Sequence, residues 1–93
     1  MSLQALEQTA KALVRRGKGI LAADESNATM SKRLESVGVV PSEETRRSYR
    51  SAMLSTPGLE DNISGVILFD ETIRQRMDDG TLFPEHLNRR GII

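Results

Sequence analysis

The chain of 93 residues contains no cysteine, no tryptophan, one tyrosine and two phenylalanines. Without cysteine there are no disulfides and no thiolate metal ligands. His86 is the only histidine, so it has no partner for an imidazole-based metal site and reads as a surface or helix residue. Neither sign of charge is in excess, with 13 basic against 13 acidic residues. Two of the three basic pairs, Arg15-Arg16, Arg46-Arg47 and Arg89-Arg90, have acids nearby. No basic face with interleaved aromatics results, which excludes a nucleic-acid partner. No apolar run approaches the roughly 20 residues that span a bilayer, so no membrane partner is expected. The amino terminus, MSLQALEQTAKALV, lacks the apolar segment of a signal peptide, and no transit peptide is visible. A cytoplasmic setting is the expectation.

What is present is the composition of an ordinary globular protein, 38% hydrophobic and 28% charged. Because aromatics make up only 3%, a core must rely on Leu, Ile, Val, Met and Ala. Leu3, Leu6, Ala10, Leu13 and Val14 recur at helical spacing and Gly17 supplies a stop, so residues 1–17 form a leading amphipathic helix. The unbroken apolar run Gly19-Ile20-Leu21-Ala22-Ala23 suits a strand covered on both faces, and it ends on Asp24-Glu25-Ser26. Ser26 can cap a helix with Met30, Leu34 and Val37 on one stripe, closed by Gly38. Pro41-Ser42-Glu43-Glu44 opens another, with Tyr49 and Met53 on its buried face and Glu43 paired to Arg47. A second apolar run, Gly65-Val66-Ile67-Leu68-Phe69, again ends on acids, Asp70-Glu71. Ile73 and Met77 indicate a short helix before the turn Asp78-Asp79-Gly80, and Pro84 opens a last helix stopped by Gly91.

Strands alternating with helices argue for an α/β protein with parallel strands. The two strand-plus-acid units begin at Ile20 and Val66, about 46 residues apart, an echo that fits a βα barrel. Such a barrel needs eight strands and about 250 residues. Residues 18–93 are therefore expected to be the first two βα units of an incomplete (β/α)8 barrel.

Asp24 is the most informative position, because ligands of parallel α/β proteins meet the carboxyl ends of the strands. A carboxylate there can hold a cationic amine or relay a proton; the same acid also fits a helix cap. Ser26, Asn27 and Thr29 open the following helix, whose free N–H groups attract phosphate, and Lys32 and Arg33 could add positive charge. A capped helix with solvated cations is the alternative there. Gly17-Lys18-Gly19 precedes its strand and lacks nucleotide-loop spacing, so it reads as a tight turn. Asp78-Asp79-Gly80 reads as a turn rather than a metal site.

The run Gly17-Lys18-Gly19-Ile20-Leu21-Ala22-Ala23-Asp24-Glu25-Ser26 resembles the first barrel strand of class I fructose-bisphosphate aldolases. The likeness continues through Lys32-Arg33-Leu34, Arg46-Arg47-x-Tyr49-Arg50, Gly65-Val66-Ile67-Leu68-Phe69-x-Glu71-Thr72, Asp78-Asp79-Gly80 and Phe83-Pro84. The resemblance implies a (β/α)8 lyase of glycolysis and gluconeogenesis. It would cleave fructose 1,6-bisphosphate reversibly to dihydroxyacetone phosphate and glyceraldehyde 3-phosphate. The chemistry runs through a lysine Schiff base, with no metal or organic cofactor. It further implies that Asp24 is catalytic, beside the Schiff-base nitrogen, and that Ser26, Thr29, Lys32 and Arg33 serve a substrate phosphate. A homo-oligomeric parent, a tetramer, is implied too, and related forms occur in plastids.

There are departures from the family pattern. Asn27-Ala28-Thr29 stands where animal members have Thr-Gly-Ser, which removes a glycine's freedom beside the phosphate. Asp70 replaces a histidine, and the amino-terminal tail is shorter. The Schiff-base lysine is expected on the sixth strand, and Lys11, Lys18 and Lys32 match none of the family's lysine roles. This polypeptide alone is therefore expected to be inactive. A second reading of the same residues is a non-catalytic α/β fragment that binds a phosphorylated ligand or a partner protein.

Overall fold

The computed structural model of the chain describes residues 2–93, so Met1, the first residue of the expected leading segment, lies outside it. In chain order the elements are α1 (Leu3–Leu13), β1 (Gly19–Leu21), α2 (Asn27–Ser36), α3 (Glu43–Leu54), α4 (Leu59–Asn62), β2 (Ile63–Val66), α5 (Asp70–Ile73) and α6 (Phe83–Arg89). β1 and β2 pair in parallel, with Ile20 opposite Gly65 and Leu21 opposite Val66. The ladder extends one bond further, where the Ile67 amide donates to the Leu21 carbonyl at 2.9 Å. The other edge of β2 is engaged as well. The Ile93 amide donates to the Ser64 carbonyl at 2.9 Å and the Val66 amide donates to the Ile93 carbonyl at 3.0 Å. That is the bond pattern of a parallel neighbour.

Leu54, Met77, Phe83, Leu87 and Ile92 form the core, with Met53, Leu59, Ile63, Val66 and Leu68 against it. α3 begins with a reciprocal capping box between Ser42 and Thr45, which satisfies two otherwise orphaned amides. At its far end the Arg90 guanidinium donates to the carbonyls of Leu54 at 2.8 Å and Thr56 at 2.6 Å and pairs with Glu60. This ties α6 to the end of α3 and to α4.

The expected α/β order holds, and several local expectations are corrected. α1 forms, capped by the Ser2 hydroxyl, but its apolar stripe is not buried: Leu3 is 85% exposed. Only its last turn docks, where Leu13 lies over Gly65 and its carbonyl accepts the Ser64 hydroxyl. A Cβ on Gly65 would come within 2.3 Å of Leu13 Cδ2, so the glycine permits that approach. β1 stops at Leu21 rather than Ala23 and is not covered on both faces, since Ile20 is 45% exposed. β2 runs over Ile63–Val66 instead of 65–69, because the backbone leaves the ladder to direct the Phe69 amide elsewhere.

Met30 and Leu34 are buried on α2, but Val37 is 74% exposed at the C-cap, beyond the reach of the helix's inner stripe. On α3 the inward face carries Arg50, Ser51 and Leu54, and this rotation leaves Tyr49 at 46% exposure. Glu43 does not pair with Arg47, which instead binds Glu44 and Asp78. The helix expected across Ile73 and Met77 ends at Ile73; Met77 reaches the core from a hairpin in which Arg76 bridges Leu82. α4 had no expected counterpart. The turn at 78–80 and the final helix occur as expected, with Gly80 and Gly91 at positive φ.

Leu54 is fully buried, whereas Val40 is 79% exposed. Leu54→Ala is expected to cost about 2–5 kcal/mol, and Val40→Ala to stay within about 0.5 kcal/mol of wild type, both read from urea midpoints. Equal effects at the two positions would contradict the placement of the core.

Candidate active site

Asp24 follows β1 by three residues, in the connection to α2, and so stands beyond the carboxyl end of a parallel strand. Its side chain is fully buried. Oδ2 accepts the Phe69 amide at 2.8 Å and Oδ1 accepts Arg50 Nε at 3.0 Å. The carboxylate thus links the ends of both strands to α3.

Arg50 is the centre of the cluster. The residue is completely buried, and its guanidinium makes five hydrogen bonds, matching its five N–H donors. Besides Asp24, Nη1 donates to Glu71 at 2.8 Å and to Gln75 Oε1 at 3.0 Å. Nη2 donates to the Glu25 carbonyl at 3.2 Å and to Asn27 Oδ1 at 3.3 Å. Glu71 also receives Arg46 through Nε at 2.9 Å and Nη2 at 3.0 Å, and Asn27 Nδ2 at 2.8 Å. Two guanidiniums face two carboxylates, so the buried charges balance. The hydrogen bonds from Arg46, then those from Arg50, outweigh desolvation and hold the Glu71 carboxyl at about 2, from an ordinary 4.5. Glu71 in turn raises Arg46.

The expected phosphate residues lie along the start of α2. Ser26 occupies the N-cap, yet its hydroxyl caps no amide and donates to Thr29 Oγ1 at 3.2 Å. Both hydroxyls are exposed beside the unpaired amides of the first turn. Arg33 turns back toward the strand end and grips Glu25 through two bonds, one of 2.8 Å from Nη2. This hydrogen bonding lowers the Glu25 carboxyl and raises Arg33. Lys32 is exposed and makes no hydrogen bond or ion pair among the described residues. Asp24 and Arg33 are therefore joined only through the adjoining residue Glu25, while Ser26 and Thr29 touch each other. Among the described residues, no group of three or more His, Asp or Glu is placed to hold a metal ion, and no helix is long and apolar enough to cross a membrane.

Sequence reasoning named Asn27 only as part of the opening of α2, and assigned no role to Arg50, Glu71, Arg46 or Gln75. A signal existed: Arg46 and Arg50 are one turn apart, and Arg50 shares a helix face with Leu54. A cation on a core face requires buried carboxylate partners, and Asp24 and Glu71 end the two apolar runs.

Comparison with known proteins adds context to this geometry. The family model described as fructose-bisphosphate aldolase class-I matches residues 5–93. The probable fructose-bisphosphate aldolase class 1 of Xanthomonas axonopodis pv. citri is 55% identical over the whole chain, which spans 28% of that protein. The fructose-bisphosphate aldolase of Drosophila melanogaster is 56% identical over 95% of the chain and 25% of its own length. Among solved structures, fructose-bisphosphate aldolase from Plasmodium falciparum, crystallised with TRAP and a small-molecule inhibitor, superposes with a TM-score of 0.88. It shares 43% identity and covers 97% of this chain and 26% of its own. The chain thus spans about a quarter of the relatives it matches.

Because the folded-state value of Glu71 lies below the unfolded one, its contribution is complete above about pH 4.5 and is lost as pH falls toward 2. The contribution is on the order of a few kcal/mol. Glu71→Gln is expected to lower the urea midpoint at pH 7 and to converge with wild type toward pH 2. A gap that stays constant across that range would contradict the pairing.

Proposed function

The chain belongs to the class I fructose-bisphosphate aldolase family, and from that membership we propose that residues 18–93 form the first two βα units of a (β/α)8 barrel, preceded by the helix within residues 1–17. The complete protein would cleave fructose 1,6-bisphosphate reversibly to dihydroxyacetone phosphate and glyceraldehyde 3-phosphate. A lysine on a later strand forms the imine with the substrate ketone. The protonated imine then takes up the electron pair left when the C3–C4 bond breaks.

The observation that carries this reading is the position of Asp24, a buried carboxylate just past the carboxyl end of a parallel strand. Enzymes of this architecture place their chemistry at that rim. In the proposed reaction Asp24 faces the imine nitrogen and serves the proton transfers of carbinolamine formation and breakdown. Ser26, Thr29, Lys32 and Arg33 serve a substrate phosphate. Arg33 is 64% exposed through its side chain and bound to Glu25, so phosphate oxygens would exchange with that carboxylate. The bonds of Ile93 to β2 support a third parallel strand on that edge. Lys11, Lys18 and Lys32 match none of the family's lysine roles, so these 93 residues alone carry no activity in this reading. The complete protein is a cytoplasmic homo-oligomer on the same proposal, a tetramer by family likeness.

The test is a chimera in which these 93 residues replace the matching segment of the Xanthomonas relative. It is expected to cleave the bisphosphate and to yield a borohydride-trapped substrate adduct. Asp24→Asn should lower kcat by about 100-fold or more, and Arg33→Ala should raise KM about 10-fold or more by removing a charged hydrogen bond. A folded chimera without activity, or one indifferent to Asp24→Asn, would overturn the reading.

A further inference from the structure

We propose that Arg50 is a positioning residue for the reaction: its buried guanidinium fixes the plane and direction of the Asp24 carboxylate. The inference rests on the reading of Asp24 as the group that faces the imine. An aspartate side chain turns about two torsions, so two donors from independent segments suffice to hold it. Here those donors are the Phe69 amide, fixed by the end of β2, and Arg50 Nε, fixed by α3. The backbone donor cannot be altered by changing the Phe69 side chain. Arg50 is the adjustable half of the clamp.

Arg50 itself is placed with little freedom. Glu71 and Gln75 anchor Nη1, and the Glu25 carbonyl and Asn27 anchor Nη2. Its anchors lie in the segment after β1 and in the segment after β2, so one planar group keys the two strand-end segments to each other. Arg50 stays clear of the phosphate residues: it makes no hydrogen bond to Ser26, Thr29, Lys32 or Arg33 among the described residues. Loss of the clamp should therefore fall mainly on kcat, and move KM only indirectly, through the Glu25 carbonyl and Asn27 at the opening of α2.

A lysine at this position keeps the charge but presents three donors from a single point, which cannot reproduce a fork spanning five acceptors. A misplacement of about 1 Å at a reacting group can cost about 100-fold. In the complete gene product, Arg50→Lys is accordingly expected to lower kcat by about 10- to 100-fold, with a clearly smaller fold-change in KM for fructose 1,6-bisphosphate. In Arg50→Ala, added guanidinium, but not ammonium, is expected to restore part of kcat. Gln75→Ala, which frees one side of Nη1, should lower kcat several-fold at constant KM, and this milder variant decides the matter if the Arg50 variants do not fold.

A folded Arg50→Lys enzyme with wild-type kcat would overturn the assignment. So would a kcat that only tracks the folded fraction, or a wild-type kcat in Gln75→Ala where the Arg50 variants are unfolded. Asp24→Asn is run in parallel. If it keeps wild-type kcat, the role of Asp24 itself fails; if it is inactive while Arg50→Lys is unaffected, only the positioning role fails.

Discussion

Removing a guanidinium from water costs several kcal/mol unless its N–H groups and charge are all met inside the protein. Arg50 meets that demand with five acceptors drawn from Asp24, Glu25, Asn27, Glu71 and Gln75. Those residues belong to two stretches of chain and Arg50 to a third, so satisfying one side chain fixes the orientation of α3, the path from β1 into α2, and the start of α5. Few other contacts could set these together. The ladder between β1 and β2 is short, and the apolar core lies toward α6 rather than between the strand ends. Breaking the network by removing one partner would leave uncompensated buried charge, which is far more costly than the loss of a surface pair.

A second constraint comes from the sheet. Ile20, Ile67 and Phe69 are exposed, although the runs that contain them have the continuous apolar character of strands buried on both faces. On the barrel reading, those side chains meet neighbouring staves and the interior layers of a closed sheet. Gly65, where Leu13 lies against the strand, and Ile93, which pairs along the outer edge of β2, belong to the same arrangement. The exposed Ile67 and Phe69 lie in the same stretch whose Phe69 amide binds Asp24.

Much of this was legible in the residues. Helical spacing and cap residues located α1, α2 and α3, Pro84 and Gly91 bracketed α6, and the acids ending each apolar run marked the stretch just past each strand, including Asp24. The errors on the helix faces share one cause: periodicity reports that a face exists and not what covers it. Leu3 and Val37 sit on apolar stripes yet face outward, and Tyr49 yields the inner face of α3 to Arg50. The extent of β2 was misjudged because the last residues of its apolar run leave the ladder so that the Phe69 amide can reach Asp24. The phosphate residues were recognisable by type and family likeness, but the Glu25 partnership of Arg33 was not, since a separation of eight positions across a strand-to-helix connection gives no periodic signal. Arg50 was hidden for the opposite reason. An arginine among arginines reads as solvated until its acceptors, 21 to 26 positions away in sequence, are brought to it.

The most direct measurement is a crystal structure of the complete gene product after reduction of its substrate adduct with borohydride. The account requires the Asp24 carboxylate within hydrogen-bond reach of the former imine nitrogen, with Arg50 Nε still bonded to its other side. Asp24 on the opposite rim from the adduct, or Arg50 turned away to solvent, would contradict it.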